Sequence, residues 1–252
     1  MSTLVRAELL KLRTTRLPFV FALAVAGLAL LGTVASALTA GRPDARTPPL
    51  ESPEGVRNVF SAGAGAATTW AMVLGIIVVS GEWRHRTVTQ TFLVTPRRRK
   101  VVTAKLVAML AVGTLYAVLA VAVTVVSALV LLSVKGVDAA VTEHGVPRAL
   151  LGGALATVIY GILGVGVGAL IRNQVAAIIG ALVWDGVANT LLVQFLPELG
   201  RWTPTGAASA MTGVASTTAD LLPMWAGALV LTAYAVVLAA VGARMIEHRD
   251  VT

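Results

Sequence analysis

Residues 81–105 read GEWRHRTVTQTFLVTPRRRKVVTAK and lie between two apolar runs, each long enough to cross a membrane. Seven of the chain's twenty Lys and Arg residues fall here, at Arg84, Arg86, Arg97, Arg98, Arg99, Lys100 and Lys105, against one acid, Glu82. Such a stretch stays on the cytoplasmic side, where positive loops are retained and anionic lipid attracts them. It sets both the fold class, an all-α polytopic membrane protein, and the orientation of that fold.

The rest of the chain follows from it. Of 252 residues, 57% are hydrophobic and 13% charged, whereas a soluble domain carries about a quarter charged residues. A helix rising about 1.5 Å per residue needs about 20 residues to cross a hydrocarbon layer roughly 30 Å thick. Six runs qualify, at 17–40, 60–80, 106–134, 149–171, 175–196 and 221–241. The third exceeds one crossing and must tilt or project. The spans and their short connections leave no room for a sizeable soluble unit, so residues 1–252 are expected to form a single transmembrane domain. Six crossings put both termini on the same side, and charge places that side in the cytoplasm: the inner segments hold fourteen basic and four acidic residues, the outer loops six and seven. The basic start and the triplet Ala35, Ser36, Ala37 mimic a cleavable signal, but the apolar run exceeds a signal's core of about 7 to 15 residues, so an uncleaved first span is expected.

A net charge of +8 would suggest nucleic acid in a soluble protein. Here the basic residues flank spans, and topology accounts for them; no nucleic acid partner is expected. Cysteine is absent, which removes disulfides, thiolate nucleophiles and cysteine-held metals. His85, His144 and His248 lie far apart, without metal-ligand spacing. There is no Walker-type phosphate loop and no GxSxG element, so neither cofactor, metal nor catalytic site is expected on this chain. Gly164, Gly166 and Gly168 sit inside the fourth run and read as a place where another helix approaches closely.

Four local patterns stand out. Residues 1–16 place Val5, Leu9 and Leu12 on one stripe, with Arg6, Lys11, Arg13 and Arg16 free for lipid headgroups, the pattern of an interfacial helix. In the inner segment Trp83, Thr87, Gln90 and Val94 recur at helical spacing beside Val88 and Phe92, up to Pro96; this short helix either enters a partner's groove or packs on the chain's own spans. Asp185 is the charged residue deep in a span, at an insertion cost of about 2.5 to 3.5 kcal/mol. With Asn189 one turn later it marks either a polar path or ion site, or a hydrogen-bonded lock between helices. Outside, residues 41–59 carry Pro43, Pro48, Pro49 and Pro53 and read as a solvated connector. Residues 197–220 are more apolar, with Leu199, Trp202, Ala208, Met211 and Val214, and read either as a segment lying against or dipping into the outer surface or as an ordinary loop with some buried residues.

Together, AELLKLRTTR at 7–16 and GEWRHRTVTQTFLVTPRRRKVVTAK at 81–105 resemble the membrane subunit of an ATP-binding-cassette exporter of the type-2 permease class, in the small bacterial six-span form. The order of segments matches over nearly the whole chain. The resemblance implies that residues 1–16, with Arg6, Glu8, Lys11 and Arg13, form the family's elbow helix. It implies that residues 81–105 hold a coupling helix whose Glu82, Trp83, Arg84, Arg86, Thr87 and Gln90 dock a separate cytosolic ATPase. Residues 197–220 would be the family's extracellular element. ATP and magnesium would then belong to that partner, a second permease copy or paralogue would complete the transporter, and the bacterial plasma membrane would be its place. The residues alone leave two rivals standing: an ion-coupled transporter working through Asp185, with Asn189 on its path, and a non-transporting scaffold or sensor whose basic segment binds anionic lipid.

Overall fold

Packing in this chain is organised by close approach of helix backbones, and glycine makes it possible. The structure is a computed structural model that describes residues 2–42, 47–85, 87, 91, 93, 95, 97–139, 141–213 and 221–248. Among these, the regular structure is entirely helical, with six helical runs long and apolar enough to span a membrane.

Helix α1, Ser2–Thr14, turns Leu4, Val5, Glu8, Leu9 and Leu12 inward and exposes Arg6 and Arg13. A bend at Thr15 and Arg16 leads into α2, Leu17–Thr39, the first span, which opens with proline in its first turn, where the missing N–H costs nothing. The Tyr116 hydroxyl donates to the Pro18 carbonyl at 2.9 Å and pins this entry point. The second span comprises α3, Pro53–Gly65, and α4, Thr68–Arg84. Its start corrects the reading of residues 41–59 as a connector. The Ser52 side chain accepts from the Gly55 N–H and Pro53 occupies the first turn, so this proline starts a helix rather than preventing one. Leu50, Val56 and Val59 are buried with Phe60, Leu132 and Val146 in one cluster at the start of this span.

The third span, α5, runs unbroken through Arg98–Val134, 37 residues or about 55 Å. The fourth is α6, Val146–Leu170. The fifth consists of α7, Gln174–Val183, a π-helical turn at Trp184–Ala188, and α8, Asn189–Phe195. Two short helices follow, α9 (Pro197–Gly200) and α10 (Pro204–Thr212), before the sixth span, α11, Met224–His248.

The central crossing is α4 on α6. A Cβ added at Gly75 would stand 2.3 Å from the Gly161 carbonyl oxygen, and one at Gly164 would stand 2.1 Å from that of Met72. Glycine is required because the neighbour is backbone, which cannot swing aside. The glycine run of the fourth span thus serves helix approach, as its sequence suggests. The α9–α10 hairpin folds into the bundle: Ala207, Ala210 and Met211 are buried, while Leu199 and Trp202 remain exposed.

Gly164→Ala should therefore cost about 1–3 kcal/mol through overpacking, measured by thermal or denaturant unfolding in mild detergent. Gly180→Ala, where nothing lies within 4 Å of the added Cβ, should leave the melting temperature unchanged or slightly raised.

Candidate functional site

Four charged side chains from three separate elements meet where the elbow-like α1, the end of α4 and the start of α5 converge. Lys105 Nζ lies 2.8 Å from Glu8 Oε2, 2.8 Å from Glu82 Oε1 and 3.2 Å from the Val78 carbonyl oxygen. An ammonium has three protons, and all three find acceptors here. Lys11 Nζ donates to Glu8 Oε1 at 2.7 Å and to Glu82 Oε1 at 2.8 Å. Glu8 thus holds one lysine on each oxygen, and both lysines share one oxygen of Glu82.

Local sequence explains the convergence. Glu8 lies on the inward stripe of α1 between Val5 and Leu9, and Lys11 stands three residues later, above it on the same face. Lys105 lies on α5 a full two turns past Arg98, where Val101, Val102 and Ala104 are already buried. The side chains of Lys105, Glu8 and Glu82 are 4%, 8% and 13% exposed, and that of Lys11 is 49% exposed. Taking such ions out of water costs several kcal/mol each, repaid only when geometry and hydrogen bonding are nearly complete. Two ammonium and two carboxylate groups sum to zero, and that neutrality allows the burial. Burial pulls the Lys11 ammonium pKa down, but its bonds to Glu8 and Glu82 outweigh that and leave it above the ordinary lysine value.

Beside this hub lies a partly open groove of about 550 Å³ lined by Trp83, Arg84, Arg172, Asn173, Gln174 and Val175. The Arg172 guanidinium sits 4.9 Å from the Trp83 ring centre, a cation–π contact that joins the connection between the fourth and fifth spans to the end of the second. Asn173 accepts from the Val175 and Ala176 N–H groups at 3.0 and 3.1 Å, capping α7 and setting that connection in place. Arg84 and Arg172 are exposed.

Of the docking residues expected from the sequence, Trp83 and Arg84 face this groove, and Glu82 turns inward to the hub. Thr87 is exposed, its N–H donating to the Glu82 carbonyl, and its own carbonyl accepts from Thr91 at 3.1 Å. Arg86 and Gln90 lie outside the described residues, as do Val88, Phe92, Val94 and Pro96 of the expected inner helix and Val214 of the last outer loop. On α1, Arg6 and Arg13 are exposed as expected. Lys11 is exposed too, and in addition two carboxylates hold its ammonium. Lys105 and Arg172 were missed as site residues. The signal for Lys105 was its place at the edge of the third apolar run, with a lone acid at the end of the preceding span.

Asp185 and Asn189 form a second polar centre. Thr69 of α4 donates to Asp185 Oδ2 at 2.7 Å, while Thr205 of α10 and Tyr160 of α6 donate to Oδ1 at 2.7 and 3.3 Å. Thr203 donates to Asn189 Oδ1. The π-turn adds a residue to the helical turn at this point and re-aims both side chains toward the hairpin. Because Thr205 reaches Asp185 in mid-span, the hairpin re-enters to that depth.

Among known families, the ABC-2 family transporter protein matches residues 4–186. The chain belongs to this family. Its matched region takes in α1, the hub, the groove and Asp185. No curated protein matches this chain. As an ABC-2 family protein with six apolar spans it is a multi-pass membrane component of a transporter, and the family is one of transport components rather than catalytic enzymes.

Two substitutions test the site. Lys105→Met should destabilise the protein by about 3–5 kcal/mol, because it strands buried carboxylates; adding Glu82→Gln should recover part of that loss in a double-mutant unfolding cycle. Asp185→Leu should cost about 1–3 kcal/mol by orphaning the hydroxyls of Thr69 and Thr205, and Asp185→Asn, which still accepts, should cost less in the same measurement.

Proposed function

We propose that this chain is one membrane half of an ATP-driven exporter, working with a separate cytosolic ATPase that docks on Trp83, Arg84 and Arg172. The observation that carries this reading is the hub. The elbow helix, the end of the second span and the start of the third are joined by ion pairs directly beside the exposed cationic groove. A load applied at the inner loop is therefore passed to two spans and the elbow as one body. Glu82, with Lys11 and Lys105, acts in this reading as the joint behind the docking surface rather than as a contact on it. Arg86, Thr87 and Gln90 extend the surface along the inner loop.

ATP and magnesium bind to the partner ATPase. A second copy of this chain, or a paralogue, completes the path, and both termini face the cytoplasm of a bacterial cell whose plasma membrane holds the complex. The cargo in this reading is an apolar or amphipathic compound, a drug, antibiotic, lipid or peptide. For Asp185 the bonding supports the lock: its carboxylate is held by hydroxyls from three other elements, which suits a fixed interhelical joint better than a moving ion-coupling site.

Affinity capture of the tagged protein in mild detergent, followed by mass spectrometry and an ATP hydrolysis assay, checks this reading. A stoichiometric ATPase should be recovered. The exchange Arg84→Glu with Arg172→Glu should reduce its recovery at least tenfold, a loss of about 1.4 kcal/mol or more, while stability falls only by what the contact of exposed Arg172 with Trp83 contributes, about 0.5–1 kcal/mol; Arg84→Glu alone should weaken recovery with the melting temperature unchanged. Recovery unchanged by the exchange would overturn the docking assignment, and transport indifferent to ATP would overturn the exporter.

A further inference from the structure

Between the first and third spans, on the half away from both termini, lies an open apolar groove of about 510 Å³ lined by Leu30, Val34, Val123, Val126, Val130 and Leu131 among others. The one hydroxyl on its wall, Ser127, donates back to the Val123 and Thr124 carbonyls at 2.7 and 3.2 Å, so the groove offers no polar group to a guest. One turn further out along the same two helix faces the chemistry changes. Leu38 follows Val34 by four residues and Lys135 follows Leu131 by four, and both line a second cavity of about 480 Å³ together with Gly41, Pro49 and Glu51. Lys135 and Glu51 are exposed, and neither is ion-paired to the other or to any described residue.

By helical register the two cavities lie end to end along the faces of α2 and α5, in one channel-like line. From Val123 to Lys135 it runs about 18 Å, close to the roughly 15 Å of hydrocarbon in one leaflet. It is apolar for its membrane length, and among the described residues that line its end are one cation, Lys135, and one anion, Glu51. We propose that this channel binds a zwitterionic phospholipid of the outer leaflet: an acyl chain lies along the apolar groove, the headgroup phosphate meets Lys135, and the headgroup ammonium meets Glu51. A lone lysine at the mouth would select an anionic lipid; the neighbouring carboxylate repels a net negative headgroup and offers an acceptor to an ammonium, as phosphatidylethanolamine supplies. The proposal rests on the orientation proposed above, with both termini in the cytoplasm, and on the two helices spanning the membrane; it does not depend on ATP coupling.

Native mass spectrometry of the full-length protein, purified in mild detergent and supplied with equal phosphatidylethanolamine and phosphatidylglycerol, tests it. One phosphatidylethanolamine per chain should be retained in preference to phosphatidylglycerol by roughly tenfold, about 1.4 kcal/mol. Glu51→Gln should reverse that preference by leaving Lys135 alone at the mouth, and Lys135→Met should abolish it. Val130→Trp, at a position 57% exposed and so tolerant of bulk, should remove the retained lipid while leaving the melting temperature unchanged. Equal retention of both lipids in every variant, or retention indifferent to Val130→Trp, would reduce the groove to ordinary annular contact and overturn the proposal. A Val130→Trp variant that changes oligomer mass rather than lipid count would assign the groove to a second copy and overturn it as well.

Discussion

Charge cannot be left unpaired where water is excluded, and that constraint governs the inner end of this molecule. Lys105 enters the start of α5 where its neighbours are buried, and its ammonium is tolerable only because Glu8 and Glu82 reach it from two other elements. Helix α1 would otherwise be held by a modest apolar stripe. With Glu8 committed to both lysines, α1 has one angle and one depth at which the account balances. The same constraint acts again in mid-span, where Asp185 is met by three hydroxyls and the hairpin that carries one of them is drawn inward.

Glycine supplies the second organising element. Without aqueous solvent to drive helices together, association in a membrane relies on close contact, and α4 and α6 achieve it where backbone meets backbone at Gly75 and Gly164. That crossing positions Tyr160 and Thr69 to address the same carboxylate. Rigid packing in the centre and polar bonding at its edge are therefore one arrangement, since the hydroxyls reach Asp185 only if the helices lie this close.

Much of this was legible in the sequence, and what was not has a physical reason. The six spans follow from transfer energy summed over about 20 residues, and each run overlaps one helical run; the second begins earlier, at Pro53, the third earlier, at Arg98, and the sixth continues to His248. There the error lay in reading proline as a helix breaker without weighing Ser52 before it and Glu54 after it, which make the start of a helix. The last outer loop was left between two readings because its apolar content says that it is buried but not in what; Thr203 and Thr205 find Asn189 and Asp185 through the fold alone. The hub escaped for the same reason. Glu8 and Lys105 are 97 positions apart, and a count of charges by side of the membrane treats each lysine as a solvated marker, blind to which ones pair.

The unbroken length of α5 has a mechanical meaning. It contains no proline from Arg98 to Val134, and at Gly113 it comes near the backbone of α6, an added Cβ lying 3.3 Å from the Val158 Cα. That contact divides the rod unequally, with about 12 Å from Lys105 to Gly113 and about 33 Å from Gly113 to Lys135. Any tilt of the rigid helix about that contact would displace the Lys135 end nearly three times as far as the Lys105 end. In its proportions the helix resembles a lever, with the ion pairs of Lys105 on the short side of that contact and Lys135 at the end of the long one.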